Sequence, residues 1–566
     1  MAVTRTDAIA ALTAPGQPFE LETIDHDGVP WRVFKTAPAS MRDFLATTAA
    51  FGDRDFLVYE GERTTHAEHL GIVGGLAAWL AEEFGIVNGD RVAIGMRNYP
   101  EWVMSFWATL SLGAIAVPLN AWWLGPELEY ALTDSGCKAL LLDGERYERL
   151  APHLDTIGAE VVVVCRHRGE LPADIVRWED LRPTLDTGRG LPAVDIGPED
   201  HATILYTSGT TGAPKGALAT HRNHVTNIMN TLLLGAVAQA VAGAAPPDPD
   251  NPPPQGAALQ VFPFFHIGGL SGLYVTTISG NKLVTMYKWD VETAIDLLVR
   301  ERITSTAMVP TVLRELLEHP RLATLPRDAL AGISSGGAPV PPDLIRSIET
   351  QFESKVSPAN GYGLTETTSA VIINSGTDYF SHPDSVGRPA VGADVRIVGE
   401  LGEDLPNGAI GEVWVRGPNI VEGYWNKPEA TAAAFTDGWF HTGDLGRRDD
   451  DGFVYVVDRL KDVVIRGGEN VYCAEVEAVL FEHPAVLDVA IVGLPHEHYG
   501  EEVVAVVNLR EGATATVREL QEFAATKLAQ FKVPSQVFLR SEPLPRTATG
   551  KVLKRDLRDE LTESTS

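Results

Sequence analysis

Residues 206–217 read YTSGTTGAPKGA, from Tyr206 to Ala217. Thr207, Ser208, Thr210 and Thr211 bring hydroxyls. Gly209 and Gly212 let a backbone approach a ligand closely, and Lys215 brings a mobile cation. Exposed N–H groups, hydroxyls and one ammonium are the parts that wrap a polyphosphate. A Gly/Ser/Thr cluster is ordinarily a plain surface loop. Here it follows a short apolar run, Ala202–Leu205, that reads as a strand holding the loop at a sheet edge. The G-x-x-x-x-G-K-[ST] spacing of the Walker loop is absent.

Working outward from this loop, helical and strand-like segments alternate. Ala67–Phe84 has the period of an amphipathic helix, and Asp90–Met96 reads as a strand. Leu124–Ser135 reads as a helix, and Ala139–Leu142 and Val161–Cys165 as strands. Such alternation predicts an α/β fold with largely parallel sheets. The stretch Trp102–Pro126 carries no charge and has the length of a membrane span. Gly113, Pro118 and its polar residues argue instead for a buried helix (Glu101–Leu112) turning into a buried strand (Ala114–Leu119). Residues 1–40 are weakly patterned and read as a partly ordered arm. Ala236–Gln255 is of low complexity, ends in a proline cluster and reads as a surface loop.

The chain has 566 residues, 44% hydrophobic and 22% charged, as expected of a globular protein with more than one domain. Met1–Phe19 has no apolar secretory core, and three scattered cysteines offer neither zinc spacing nor a disulfide framework, so a reducing cytoplasm is expected. The net charge of −30 argues against nucleic acid and anionic membrane surfaces. From Arg459 onward there are 13 Lys+Arg against 17 Asp+Glu, so the acid excess lies in the earlier part. Binding of anions must therefore rest on local cations.

Further motifs follow in order: FPFFHIGGL (Phe262–Leu270), SSGGAPV (Ser334–Val340), NGYGLTET (Asn360–Thr367), WFHTGDLG (Trp439–Gly446), DRLKDVVIRGGENVY (Asp458–Tyr472) and PRTATGK (Pro545–Lys551). Together with the opening loop they closely resemble the adenylate-forming superfamily of acyl-CoA synthetases, aryl-CoA ligases, firefly luciferase and nonribosomal adenylation domains. The resemblance runs from about Phe44 to Arg555. It implies a large N-terminal domain of layered, largely parallel sheets with helices (residues 1–458) and a small mobile α+β C-terminal domain (residues 459–566).

The chemistry to be served sets one carboxylate against the α-phosphorus of ATP, anion against anion. Cations, oriented donors and exclusion of water are what it needs. By resemblance, Glu366 holds Mg2+, Thr365 donates to the α-phosphate, and Tyr362 with Gly363 lies against adenine. Asp444 accepts from both ribose hydroxyls, which suits a carboxylate facing a vicinal diol, and Arg459 is the second ribose contact. Gly336, Gly337, Ala338 and Pro339 lie along adenine and the acyl carboxylate, with Gly361 beside them. His266 and Phe264 belong to the acyl pocket, although a histidine in an aromatic run is more often a packed core residue. Lys551 is the catalytic ammonium of the first step. In a second pose of the small domain Arg466, Gly467 and Gly468 form the thiol side, with Lys461 as hinge.

The expected activity is therefore AMP-forming acid–thiol ligation with ATP, Mg2+ and CoA. FPFFHIGGL has no acidic residue to hold an α-ammonium, so a hydrophobic acid is expected and a medium-chain fatty acid favoured. A long-chain, aryl or alicyclic acid stands close behind. Loading of a carrier protein, an inactive binding relative and a luciferase-like side reaction are the alternatives; no carrier segment follows Arg558. A homodimer is compatible with the resemblance, and stable membrane insertion is not expected.

Overall fold

The computed structural model describes residues 3–207, 214–244, 254–324, 330–338, 340–353, 356–547 and 550–565. Among these, most strands gather into two large sheets. One runs in the order Gly423–Tyr424, Lys215–Thr220, His201–Thr207, Ile115–Pro118, Arg91–Gly95, Ala139–Asp143, Val161–Cys165, Ile175–Arg177. Its interior is parallel, and the strand into the phosphate-type loop pairs antiparallel with the strand out of it, Thr207 opposite Lys215. The other large sheet has a parallel interior built from Asp55–Tyr59, Lys282–Thr285, Ala257–Gln260, Ser305–Met308, Gly332–Gly336 and Ser357–Leu364, with antiparallel edges.

The uncharged stretch explains how the two sheets are joined. Its helix, Pro100–Ser111, is buried at every residue. Trp102, Phe106 and Trp107 share one core with Val92 and Ile94 of the first sheet and Phe56 and Leu57 of the second. With its mostly apolar surface the helix is stable only when buried, and its one charge, Glu101, is paired with Arg166 at 3.0 Å. No described helix is long and apolar enough to cross a membrane.

Two expectations are corrected. The N-terminal arm is built structure: helix Arg5–Leu12, capped by Thr4, and the hairpin Leu21–His26 with Val29–Phe34. Its helix packs on helix His221–Val241. That second helix also contains the alanine-rich start of the supposed surface loop, because 236–241 holds good helix formers ahead of the prolines. Residues 245–253 lie outside the described residues.

A third sheet, Asp394–Val398, Gly411–Arg416, Trp439–Arg448 and Val454–Arg459 with the short Phe435–Thr436, carries Asp444. The next strand, Val464–Arg466, already belongs to a separate five-stranded sheet with Glu469–Val471, Gly500–Leu509, Val486–His496 and Gln536–Arg540. Helices Cys473–Phe481, Val517–Ala525 and Lys554–Thr565 pack around it. The molecule is thus a large N-terminal α/β domain and a smaller C-terminal one, and the chain crosses between their sheets within residues 460–463.

Candidate active site

Strand Ser357–Leu364 delivers Tyr362 and Gly363, then breaks into the turn Thr365–Thr367. Thr368 and Ser369 follow with φ of 45° and 98°. Non-glycine residues rarely take this backbone, and here it is over-determined by neighbours. Thr368 Oγ1 donates to the carbonyls of Asn419 (2.7 Å) and Asn223 (3.2 Å), and Asn419 Nδ2 donates to Thr367 O (3.1 Å). A Cβ on Gly363 would lie 1.8 Å from Ser369 O, so only glycine lets the strand pass the turn. The turn aims Glu366 inward, where it is 8% exposed. Burial raises its pKa, and the hydroxyl of Tyr424, donating to Oε1 at 2.7 Å, opposes that shift.

Asp444 stands on the facing sheet. Its Oδ1 is 3.3 Å from Arg459 Nε on the neighbouring strand, and its Oδ2 accepts from Tyr362 Oη at 2.7 Å. Tyr362, expected from the sequence to offer a flat face to adenine, thus also donates its hydroxyl to Asp444.

Lys551, from the small domain, lies within the field of this same pair. It sits in a tight loop closed by Thr547 N–H donating to Lys551 O (2.8 Å) and Lys551 N–H donating to Thr547 Oγ1 (3.1 Å). Gly550 at the bend has φ of 81°, and a Cβ there would come 3.3 Å from Val309 Cγ2 of the large domain. The Lys551 amine is pushed down to about 7, first by burial and then by the Arg459 guanidinium, against the pull of Asp444. Arg510 pairs with Glu318 across the same domain boundary at 3.3 Å.

A cavity of about 300 Å³ lies beneath the Lys551 loop. Phe262, Phe265, Val309 and Val312 give it apolar walls, and Thr547 and Gly550 close it from the small domain. Arg97, Lys288 and Arg546 also line it. The Arg97 guanidinium lies 4.0 Å over the ring of Trp122 and 5.3 Å over that of Tyr287. Asn98 clamps the wall: its Nδ2 donates to Phe262 O (3.0 Å) and its Oδ1 accepts from Phe264 N–H (2.9 Å). Gln260 Nε2 adds a second donor to Phe262 O at 2.7 Å. Asn98 follows a strand of the first sheet and Phe262 one of the second, so this clamp joins the two sheets at the cavity.

His266 caps helix Ile267–Ile278, its Nδ1 accepting from Gly268 N–H at 3.1 Å. Burial pushes it down to about 4, so the ring is neutral and its proton sits on Nε2. Phe264 does not line this cavity. It is fully buried against Trp102, with ring centroids 5.0 Å apart, and supports the loop from behind while Phe262 and Phe265 face the cavity. Gly336 and Gly361 pair across parallel strands. Gly337 and the adjoining Ala338 follow, Gly337 beside Phe262 and Val309. Thr207 and Lys215 form the stem of the phosphate-type loop. Ser208, Gly209, Thr210, Thr211 and Gly212, like Pro339, lie outside the described residues.

Arg466, Gly467 and Gly468 form an outlying hairpin turn, with Gly467 N–H donating to Tyr499 O at 2.8 Å and Arg466 stacked over the Tyr499 ring. None of the three lines the cavity, whereas Thr547 and Gly550 of the Lys551 loop do. Lys461 is exposed just after Arg459. Tyr424, Asn98, Gln260 and Arg97 were missed in the sequence. GYWN (Gly423–Asn426) alone had a visible signature, an aromatic pair behind a glycine.

Comparison with known proteins shows the family. The model of the AMP-binding enzyme family matches residues 44–425, and that of the AMP-binding enzyme C-terminal domain matches residues 475–551. A feruloyl-CoA synthase from Amycolatopsis sp is 35% identical over 499 residues, covering 88% of this chain and 94% of that protein. The long-chain-fatty-acid–CoA ligase FadD13 of Mycobacterium tuberculosis is 33% identical, over 88% of this chain and 93% of its own. The crystal structure of ATP-bound MatB from Rhodopseudomonas palustris superposes with a TM-score of 0.80 at 30% identity, over 93% of this chain and 100% of that one. The chain belongs to the AMP-binding enzyme family and is an AMP-forming acyl-CoA ligase, with ATP and CoA as its substrates.

Proposed function

We propose that this ligase activates a hydrophobic monocarboxylic acid, a medium-chain fatty acid first, with an aryl, alicyclic or long-chain acid as the alternative. The observation that carries the adenylating reading is that the small domain brings Lys551 into the field of the Asp444–Arg459 pair. A cation placed there by the small domain offsets the repulsion between the acid carboxylate and the α-phosphate and stabilises the charge that develops between them. Thr365 donates to the same phosphate, Asp444 and Arg459 hold the ribose, and Lys215 with the loop it flanks takes the outer phosphates. Neutral His266 offers its Nε2–H toward the acid carboxylate.

Among the described residues no cluster of His, Cys, Asp or Glu would hold a metal by itself. Glu366 still fits magnesium, which takes one or two carboxylates and fills its remaining positions with phosphate and water. Its Oε1 is engaged by Tyr424, and Oε2 is left for the ion. Bound there, magnesium would neutralise phosphate charge.

The cavity fits the thiol substrate better than the acid. A hydrophobic acid has one charge to satisfy, whereas CoA is a polyphosphate on a long uncharged arm. Apolar walls at Phe262 and Val309 suit the arm, and Arg97 and Lys288 suit the phosphates in a chain of net charge −30. Arg546, Thr547 and Gly550 leave these walls when the small domain turns about Lys461, and Arg466, Gly467 and Gly468 take their place. Its three cysteines are free and buried, in keeping with the cytoplasmic placement proposed for the chain. The related feruloyl-CoA synthase and FadD13 differ in their acids, so the relatives support the acyl-CoA ligase and leave the acid to experiment.

The test is pyrophosphate release over a panel of fatty, aryl, alicyclic and amino acids, with and without CoA. Release with hydrophobic acids and thioester formation only with CoA support the reading. Release confined to α-amino acids, or transfer to a carrier protein in place of CoA, overturns it.

A further inference from the structure

Tyr424 is assigned no role by any motif read in the sequence, yet it stands where two parts of the nucleotide site meet. Its hydroxyl donates to Glu366 Oε1 at 2.7 Å. Its main chain pairs antiparallel with Ala217, in the strand that leaves the phosphate-type loop, and the next residue donates from Trp425 N–H to Gly216 O at 2.8 Å. The face of its ring carries the Lys215 ammonium at 5.1 Å. On the other side, Val421 N–H donates to Glu366 O at 2.9 Å. One short segment, Val421–Trp425, therefore spans from the cation of the loop stem to the buried carboxylate.

We propose that Tyr424 is a positioning residue that holds the Glu366 carboxylate for magnesium-ATP and couples it to Lys215. This rests on the adenylating reading given above. The turn that carries Glu366 is pinned at Thr367 and Thr368, but those bonds fix only its backbone. A glutamate side chain keeps several rotamers, and ordering it costs free energy at the moment of binding. The Tyr424 hydroxyl selects one rotamer in advance, occupies Oε1 and leaves Oε2 free for the ion. Tyr424 is itself immobilised. Its N–H donates to Thr431 Oγ1 at 2.9 Å, and a Cβ on Gly423 would meet Thr431 Cγ2 at 2.4 Å. Asp134 ties the same segment to the loop stem from behind. Its carbonyl accepts from Trp425 Nε1 (3.0 Å), and its carboxylate takes Lys427 (3.0 Å) and Tyr206 Oη (2.8 Å). A tyrosine serving only to fill space has no need of a carboxylate partner in the nucleotide site.

The test is calorimetric binding of ATP to the full-length enzyme, without acid or CoA, at a series of magnesium concentrations. Tyr424→Phe keeps the ring and its contact with Lys215 and removes only the hydroxyl. The magnesium concentration needed for half-maximal ATP binding should rise about tenfold, as expected for loss of a hydrogen bond to a charged group. The thermal midpoint without nucleotide, and thioester formation from supplied acyl-AMP, should not change. In a Glu366→Gln background the same change should add little, because the hydroxyl acts through that carboxylate. An unaltered magnesium requirement in Tyr424→Phe, or additive effects of the two substitutions, overturns the proposal. If the wild type bound ATP without regard to magnesium and released pyrophosphate with no acid, the adenylating reading would fall with it.

Discussion

Asp444 and Arg459 are opposed across two antiparallel strands, with Oδ1 3.3 Å from Nε, and the Lys551 amine lies within their field. The pair does two things to the incoming lysine. Burial disfavours its charge most; the guanidinium adds to that effect and the carboxylate opposes it. The amine is left at about 7 from an ordinary 10.5.

The charged form of Lys551 is therefore lost as pH rises through about 7 in the free enzyme. kcat/KM for acyl-AMP formation should show an alkaline limb near that pH, and Lys551→Arg, which stays charged, should remove the limb. Lys551→Ala should slow acyl-AMP formation by about 100-fold or more and spare thioester formation from supplied acyl-AMP. For stability the sign is the reverse. Below pH 7 the buried charge imposes its full penalty, which is relieved as pH rises toward the ordinary lysine range, since the unfolded chain then binds more protons. A flat pH profile of adenylation would remove Lys551 from the first step.

Asp444→Ala should chiefly raise the KM for ATP, and Glu366→Ala should lower kcat and alter the magnesium requirement. Tyr362→Phe removes one donor to Asp444 and should weaken ATP by roughly 1 kcal/mol, about fivefold. Equal effects of all three on ATP affinity alone would deny the division of labour.

Gly363→Ala places a methyl 1.8 Å from Ser369 O. The turn must shift, carrying Thr365 and Glu366 with it, at a cost of about 1–3 kcal/mol. The thermal midpoint should fall and adenylation should drop further than the stability loss accounts for. A fully active variant would mean that this turn does not set the site.

Asn98→Ala leaves Phe264 N–H without its acceptor, while Phe262 O keeps Gln260. The expected loss is about 1–3 kcal/mol of stability. The KM for CoA should rise while the KM for ATP stays put, because the clamped loop walls the cavity and not the nucleotide site. Equal changes in both constants would make Asn98 a purely structural residue.

Lys461→Pro locks φ near roughly −65° at the proposed hinge. The two half-reactions should suffer unequally, adenylation surviving better than thioester formation. Acyl-AMP formation without CoA, and CoA thioester formation from acyl-AMP, are the two measurements. Wild-type rates in both would place the hinge elsewhere.

The sequence by itself determined the α/β class, most of the helices and strands of the interior, and the order of the motifs, because each of these is written in residues close together in the chain. The breakers Gly113 and Pro118 and the polar residues of an uncharged run identified a buried helix over Glu101–Leu112, which the structure places at Pro100–Ser111. The resemblance of GYGLTET and PRTATGK to the family's motifs singled out Glu366 and Lys551. What only the tertiary structure decided are relationships between residues far apart in sequence. Phe264 and Phe265 are neighbours in one aromatic run, and only packing against Trp102 puts the first in the core and leaves the second at the cavity. Asn98 is an unremarked residue until the second sheet brings Phe262 and Phe264 to it. Tyr424 is 58 residues from Glu366 and meets it because Gly423–Tyr424 adds to the edge of the sheet that carries Lys215. Local sequence fixes which side chains are available and how each segment coils or extends. Burial, pKa and partner are properties of the assembled neighbourhood, set by sheet order and packing that no single segment encodes.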